Sequence, residues 1–106
     1  LYVRHILVNE QHDISAIIDW GDVAWGDRAY DLGIVFAYLP RDACNAFTRE
    51  QRLEYGSMLW RRALLTSLRH GLALLSYGAD IGDTDLVREA ARIRERFALE
   101  MRDFDL

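Results

Sequence analysis

The chain has 106 residues, 51% hydrophobic and 28% charged, and a formal net charge of −4. That is the composition of one soluble globular domain or less, and it excludes disordered and fibrous classes. An acidic balance without a basic stripe interleaved with aromatics argues against nucleic acid as a partner, and apolar runs such as "IVFAYL" and "LALL" are too short to span a bilayer.

One cysteine, Cys44, has no partner for an internal disulfide. With no signal-like start, the expected location is a reducing cytoplasm. The first methionine is Met58 and the chain opens on Leu1, so the expectation is a segment of something longer. All 13 basic residues are arginine, and any chemistry that needs a lysine ammonium must draw it from elsewhere.

In chain order, "YVRHILV", "NEQHD" and "ISAIID" read as two β-rich runs around a polar turn, a hairpin over residues 4–19. A run that alternates like a strand and ends on the carboxylate of Asp19 raises a question, because an unpaired carboxylate is costly to bury. It suggests a strand that stops where a cation or polar ligand waits. "WGDVAWG" has no sustained period and reads as a loop over residues 19–26. From Asp27 the pattern turns helical: Asp27 is placed to cap a helix with Ala29, Leu32, Val35, Phe36 and Leu39 on one face and Pro40 just past its end. A short helical piece follows near residues 41–46. "TREQ", Thr48 to Gln51, spells a capping box and is expected to open a long central helix, bent near Gly56, with Leu64, Leu68, Leu72 and Leu75 as its densest row. "GADIGDTD" reads as a turn-rich acidic connector. The last helix, about residues 84–102, puts Leu86, Ala90, Ile93 and Phe97 inside and Arg88, Glu89, Arg92, Glu95 and Arg96 outside. The fold class is therefore mainly α with a short β-hairpin at the N-terminus, and residues 27–102 form a helical bundle.

Phosphoryl transfer needs a loop that orients the attacking hydroxyl and oxygen ligands that hold Mg²⁺ against nucleotide phosphates. In kinase-like sites these flank one hairpin: an aspartate followed by Leu-x-x-x-Asn, two short strands, then an Asp-aromatic-Gly triplet. Here "LYVRH" and "DWG" stand at those places, with the hairpin intact between them.

On these residues the chain resembles the C-terminal lobe of the aminoglycoside phosphotransferase family, within the group that includes choline kinases and macrolide phosphotransferases. Members carry H-G-D-L-x-x-x-N-I-L-V, a hairpin, and I-D-W-x-x-x-x-x-G-D-P-x-x-D-L. This chain reads L-Y-V-R-H-I-L-V and then I-I-D-W-G-D-V-A-W-G-D-R-A-Y-D-L. The resemblance implies the C-terminal lobe portion of a protein-kinase-like α+β fold spanning residues 1–106, with the nucleotide-binding N-lobe absent.

It also implies roles. Asp19 aligns with the Mg²⁺-binding aspartate, a hard oxygen ligand suited to a hard cation. Asp31 aligns with an aspartate that braces the catalytic loop through its backbone N–H groups. His5 stands where the family has asparagine as second metal ligand; an imidazole suits Mg²⁺ less well, so His5 either assists the metal or donates to a phosphate oxygen. Trp20 and Gly21 shape the turn around the metal, and Arg28 replaces a proline. The implied cofactors are Mg²⁺ and ATP (or GTP), and the implied substrate is a small-molecule hydroxyl, antibiotic or metabolite, of cationic character. The catalytic aspartate would immediately precede Leu1 and the phosphate-contacting lysine would lie further upstream. The isolated chain is then expected to be inactive, and to seek its missing N-lobe or to self-associate through exposed apolar surface.

Other residues carry plainer expectations. Asp22 is a turn-former, His12 is solvated, His70 is a surface or half-buried histidine, Cys44 is inert, and Trp20, Trp25 and Trp60 pack. Asp80, Asp83 and Asp85 make a solvated loop. Two rival functions remain: a non-catalytic, degenerate kinase-like binding module, and a metal-dependent hydrolase built on Asp19, Asp22 and Asp27.

Overall fold

The computed structural model describes residues 3–21 and 23–102. A 3₁₀ turn, Val3–His5, leads into strands β1 (Ile6–Val8) and β2 (Ile14–Ile17), followed by helices α1 (Ala29–Tyr38), α2 (Arg41–Glu50), α3 (Met58–Ile81) and α4 (Thr84–Met101). The mainly helical class with an N-terminal antiparallel hairpin is as the sequence reads. No helix among the described residues is long and apolar enough to cross a membrane.

The polar turn of the hairpin is built by Asn9. Its side-chain oxygen accepts from the Gln11 and Asp13 amides at 2.9 and 3.0 Å, while His12 takes a left-handed φ of 65°. The strands pair Ile6 with Ile17 and Leu7 with Ala16, then slip by a bulge so that Val8 meets Ile14. Both faces leave apolar side chains exposed, Val8, Ile14 and Ile18 among them.

The N-cap of α1 is Arg28, one place later than expected, and Asp27 stands just outside it, its Oδ1 accepting from the Ala29 amide at 3.0 Å. Ala29, Leu32, Val35 and Phe36 form the buried face of α1, and Phe36 meets Trp60 edge-on with ring centroids 5.2 Å apart. Tyr38 closes the helix with its hydroxyl 2.6 Å from Nε2 of His70, and burial pushes the His70 imidazole below its ordinary pKa. Pro40 then stops α1 and starts α2, which is longer than the sequence suggests.

The expected start of α3 is corrected. The capping-box spelling at Thr48 opens nothing, because Thr48 lies inside α2, where its hydroxyl donates to the Asn45 carbonyl. The cap of α3 is Ser57, whose Oγ accepts from the Trp60 amide at 3.2 Å, with Gly56 supplying a φ of 77° just before it. The leucine row runs from the core outward: Leu64 is 1% exposed, Leu72 54% and Leu75 40%. The inner stripe runs through Trp60, Ala63, Leu64, Ser67, Gly71 and Leu74. Small residues occupy it because neighbouring helices approach closely there. A Cβ on Gly71 would come within 2.8 Å of Ile93 on α4, and one on Gly33 within 2.7 Å of Thr66.

The acidic connector is shorter and more engaged than a solvated loop. Residues 78–81 remain helical, Gly82 turns the chain at φ 71°, and the Asp83 amide closes back on the Gly78 carbonyl at 2.8 Å. Asp83 then caps α4 by accepting from the Asp85 and Leu86 amides. Leu86, Ala90 and Ile93 are buried, as the periodicity of α4 predicts, and Arg88 pairs with Asp85 on the outside.

Candidate functional site

The register of the hairpin decides what meets at its open end. With Ile6 opposite Ile17, the residue before β1 comes beside those after β2, and the Ile18 amide donates to the His5 carbonyl at 2.9 Å. His5 Nε2 thereby comes within 3.3 Å of Asp19 Oδ2. Asp19 takes a left-handed φ of 62°, a conformation that aspartate tolerates better than most side chains and that ends the strand sharply. Its side chain is 62% exposed, against 29% for His5, so the carboxylate stands open at the mouth of the hairpin and is not consumed in a buried ion pair.

A cleft of about 760 Å³ lies over this pair, with His5, Asp19, Trp20, Trp25, Asp27 and Asp31 among its lining residues. The expectation that Trp20 and Trp25 pack is corrected: Trp20 is 63% exposed and Trp25 fully so, and of the three tryptophans Trp60 is the buried one. Trp20 instead shapes the turn, its indole N–H donating to the Ile17 carbonyl at 2.8 Å.

The acids of the cleft differ in what they can do. Asp27 is held in a fork by Arg62 of α3, with Nε to Oδ2 at 2.7 Å and Nη2 to Oδ1 at 3.2 Å. The Arg62 hydrogen bonds, helped by the Ala29 amide, hold its carboxyl below the usual carboxylate range. Asp31 sits in the first turn of α1, exposed and on the cleft, where its charge also suits the helix N-terminus. The catalytic loop it is expected to brace falls at and before residues 1–2, outside the described residues, as does Asp22.

Among the described residues, no group of three or more His, Cys, Asp or Glu side chains converges as a closed metal cage. The pair at the hairpin mouth is an open donor set. The exposed carboxylate fits a cation such as Mg²⁺, which takes one or two protein ligands and completes its shell with water and phosphate oxygens; the imidazole beside it is the poorer ligand for that ion and is placed to donate to such an oxygen. Sequence reasoning missed Arg62, Arg69 and Tyr30, which hold the far end of the loop: Arg69 Nη1 donates to the Tyr30 hydroxyl at 2.9 Å. Nothing in a one-dimensional pattern couples residues 35 and 39 positions apart.

No curated protein and no solved structure matches the chain. The model of the phosphotransferase enzyme family, by contrast, matches residues 1–72. That stretch holds the hairpin, the loop, α1, α2 and α3 as far as Leu72, and so every residue placed around the cleft. With well over half its length matched, and the match falling on the part where His5 and Asp19 meet, the chain belongs to the phosphotransferase enzyme family.

Proposed function

We propose that the chain is the C-terminal lobe portion of a Mg²⁺-dependent phosphotransferase that moves a phosphoryl group from ATP (or GTP) to a hydroxyl of a small molecule. The observation that carries this reading is the meeting of His5 and Asp19, 3.3 Å apart at the open end of the hairpin and inside the family-matched stretch. Mg²⁺, when bound, supplies neutralisation and orientation of the nucleotide phosphate oxygens. Asp19 offers its carboxylate to the ion. His5, within reach of the same position, shares that role or donates to a phosphate oxygen. Asp31 braces the preceding loop. Carboxylates and exposed aromatic faces on one cleft favour an acceptor of cationic character, an antibiotic or a metabolite.

The 106 residues contain no lysine. By resemblance, the phosphate-contacting ammonium belongs to a nucleotide lobe and the catalytic aspartate to the loop just ahead of Leu1, and the chain alone is expected not to turn over. The exposed apolar side chains of the hairpin support a surface that such a lobe covers.

The test is phosphate transfer by a polypeptide joining this chain to its nucleotide lobe, assayed over a panel of hydroxyl acceptors with Mg²⁺ and ATP or GTP. Replacing Asp19→Asn is expected to lower kcat on the order of a hundredfold to a thousandfold. Transfer at the wild-type rate by that variant sinks the reading. The second reading, a non-catalytic binding module, is favoured by His5 where the resemblance gives asparagine. Nucleotide binding without transfer to any acceptor would select it.

A further inference from the structure

The described residues between 20 and 26 are all exposed, and the one backbone bond within this stretch is Val23 N–H to the Trp20 carbonyl at 3.1 Å. A loop with so little packing takes its path from its two ends. The first end is the hairpin mouth described above. At the second, Asp27 joins two helices at once: its carboxylate accepts from the Ala29 amide of α1 and from the guanidinium fork of Arg62 on α3. Two turns further along α3, Arg69 donates to the Tyr30 hydroxyl and lies 5.8 Å from the centre of its ring.

We propose that Arg62, seconded by Arg69, is a positioning residue of the phosphotransferase site. Its forked grip on Asp27 fixes the far end of the loop that begins at Asp19, together with the first turn of α1 that carries Asp31. What that loop serves rests on the function proposed above; the clamp itself rests on the geometry. A planar fork that engages both carboxylate oxygens sets direction as well as distance, which a lysine ammonium does not. The pair is exposed, 47% at Arg62 and 37% at Asp27, so its contribution is to orientation far more than to folding. It also offsets the Asp27 charge at that end of the cleft.

Amide exchange measured by NMR in the 106-residue protein tests the clamp at Ala29, Tyr30 and Leu32, whose N–H groups bond to Asp27 or Arg28. Arg62→Ala and Asp27→Asn are expected to speed exchange there roughly two- to fivefold, with Ala90 and Ile93 of α4 unchanged. Arg62→Lys should fall between. Asp27→Asn keeps an oxygen for the Ala29 amide, so its effect reports the lost fork and not a lost cap. Unchanged exchange in Arg62→Ala overturns the proposal, and so does a rise that spreads equally to α4, which would make Arg62 a residue of the fold. In the same variants of a polypeptide joining this chain to its nucleotide lobe, Mg²⁺ with ATP is titrated against tryptophan fluorescence. A several-fold weaker response in Arg62→Ala, partly rescued in Arg62→Lys, supports a positioning role. The exchange pattern without a Mg²⁺ response in the wild-type two-lobe polypeptide upholds the clamp and overturns the function it is said to serve.

Discussion

Gly33→Ala is the substitution for which two ordinary rules give opposite signs. Alanine is better than glycine in a helix interior by about 1 kcal/mol, so propensity alone makes the change stabilising. Packing opposes it. The new methyl would lie 2.7 Å from Thr66 Cγ2, 2.9 Å from Thr66 Cβ and 3.2 Å from the Ser67 backbone nitrogen. Thr66 has little freedom to retreat, because it is β-branched and its hydroxyl donates to the Arg62 carbonyl at 2.9 Å. The Ser67 contact is to main chain, inside a helix, at a residue only 1% exposed. Overpacking of this kind costs about 1–3 kcal/mol, and with two contacts under 3.0 Å the upper half of that range applies, for a net loss of about 1–2 kcal/mol. In a chain of this size that lowers the melting midpoint by about 5–10 °C. Thermal unfolding followed by circular dichroism measures it. Adding Thr66→Ser removes the nearest carbon while keeping the hydroxyl, and is expected to recover about half of the loss. If Gly33→Ala melts at or above the wild-type midpoint, or if Thr66→Ser recovers nothing, the close approach of α1 and α3 is not as described.

Further outcomes are expected elsewhere in the fold. Asp83→Ala removes the acceptor for the Asp85 and Leu86 amides and should cost about 1 kcal/mol in urea unfolding, with Asp83→Asn largely retaining it. The His70 imidazole titrates below its unfolded value because it is buried, so between the two values the unfolded chain binds more protons. Stability from this residue is therefore full above about pH 6.5 and falls as pH drops through that window; urea midpoints at pH 5 and 7.5 should differ less in His70→Gln. Burial raises the pKa of the Cys44 thiol, which is 4% exposed, so a thiol reagent at pH 8 should react at the rate of unfolding, and immediate labelling of native protein would contradict the packing of α2.

Much of this architecture is legible in one dimension because its signals are local. The turn at Asn9, the strand that stops at Asp19, the start of α1 beside Asp27 and the inner face of α4 each follow from residues within a few positions of one another. The failures have physical causes of two kinds. At Thr48 a correct local spelling lost to a competing one, since Gly56 and Ser57 offer a turn and a cap where the chain needs them. Along α3 the row of leucines has Leu64 inside but Leu72 and Leu75 in solvent, and a search for large apolar residues passes over Ser67 and Gly71, which are inside because they are small enough for Gly33 and Ile93 to approach. The candidate site divides the same way. His5 and Asp19 are readable because a hairpin register joins them, whereas the partners of Asp27 and Tyr30 are set by how α1 lies on α3.

That dependence makes the site a consequence of the core. Arg62, Thr66 and Arg69 share one face of α3, and the three of them meet Asp27, Gly33 and Tyr30 in and just ahead of α1. The middle contact is steric and has no slack, while the outer two are polar and reach across exposed surface. If the helices were forced apart at Gly33, the arginine side chains would have to follow a retreating Asp27 and Tyr30, and the fork geometry tolerates little displacement before one of its two bonds is lost. The absence of a side chain at position 33 therefore sets the height at which α1 begins. That height, in turn, sets where the loop carrying Asp19 must end.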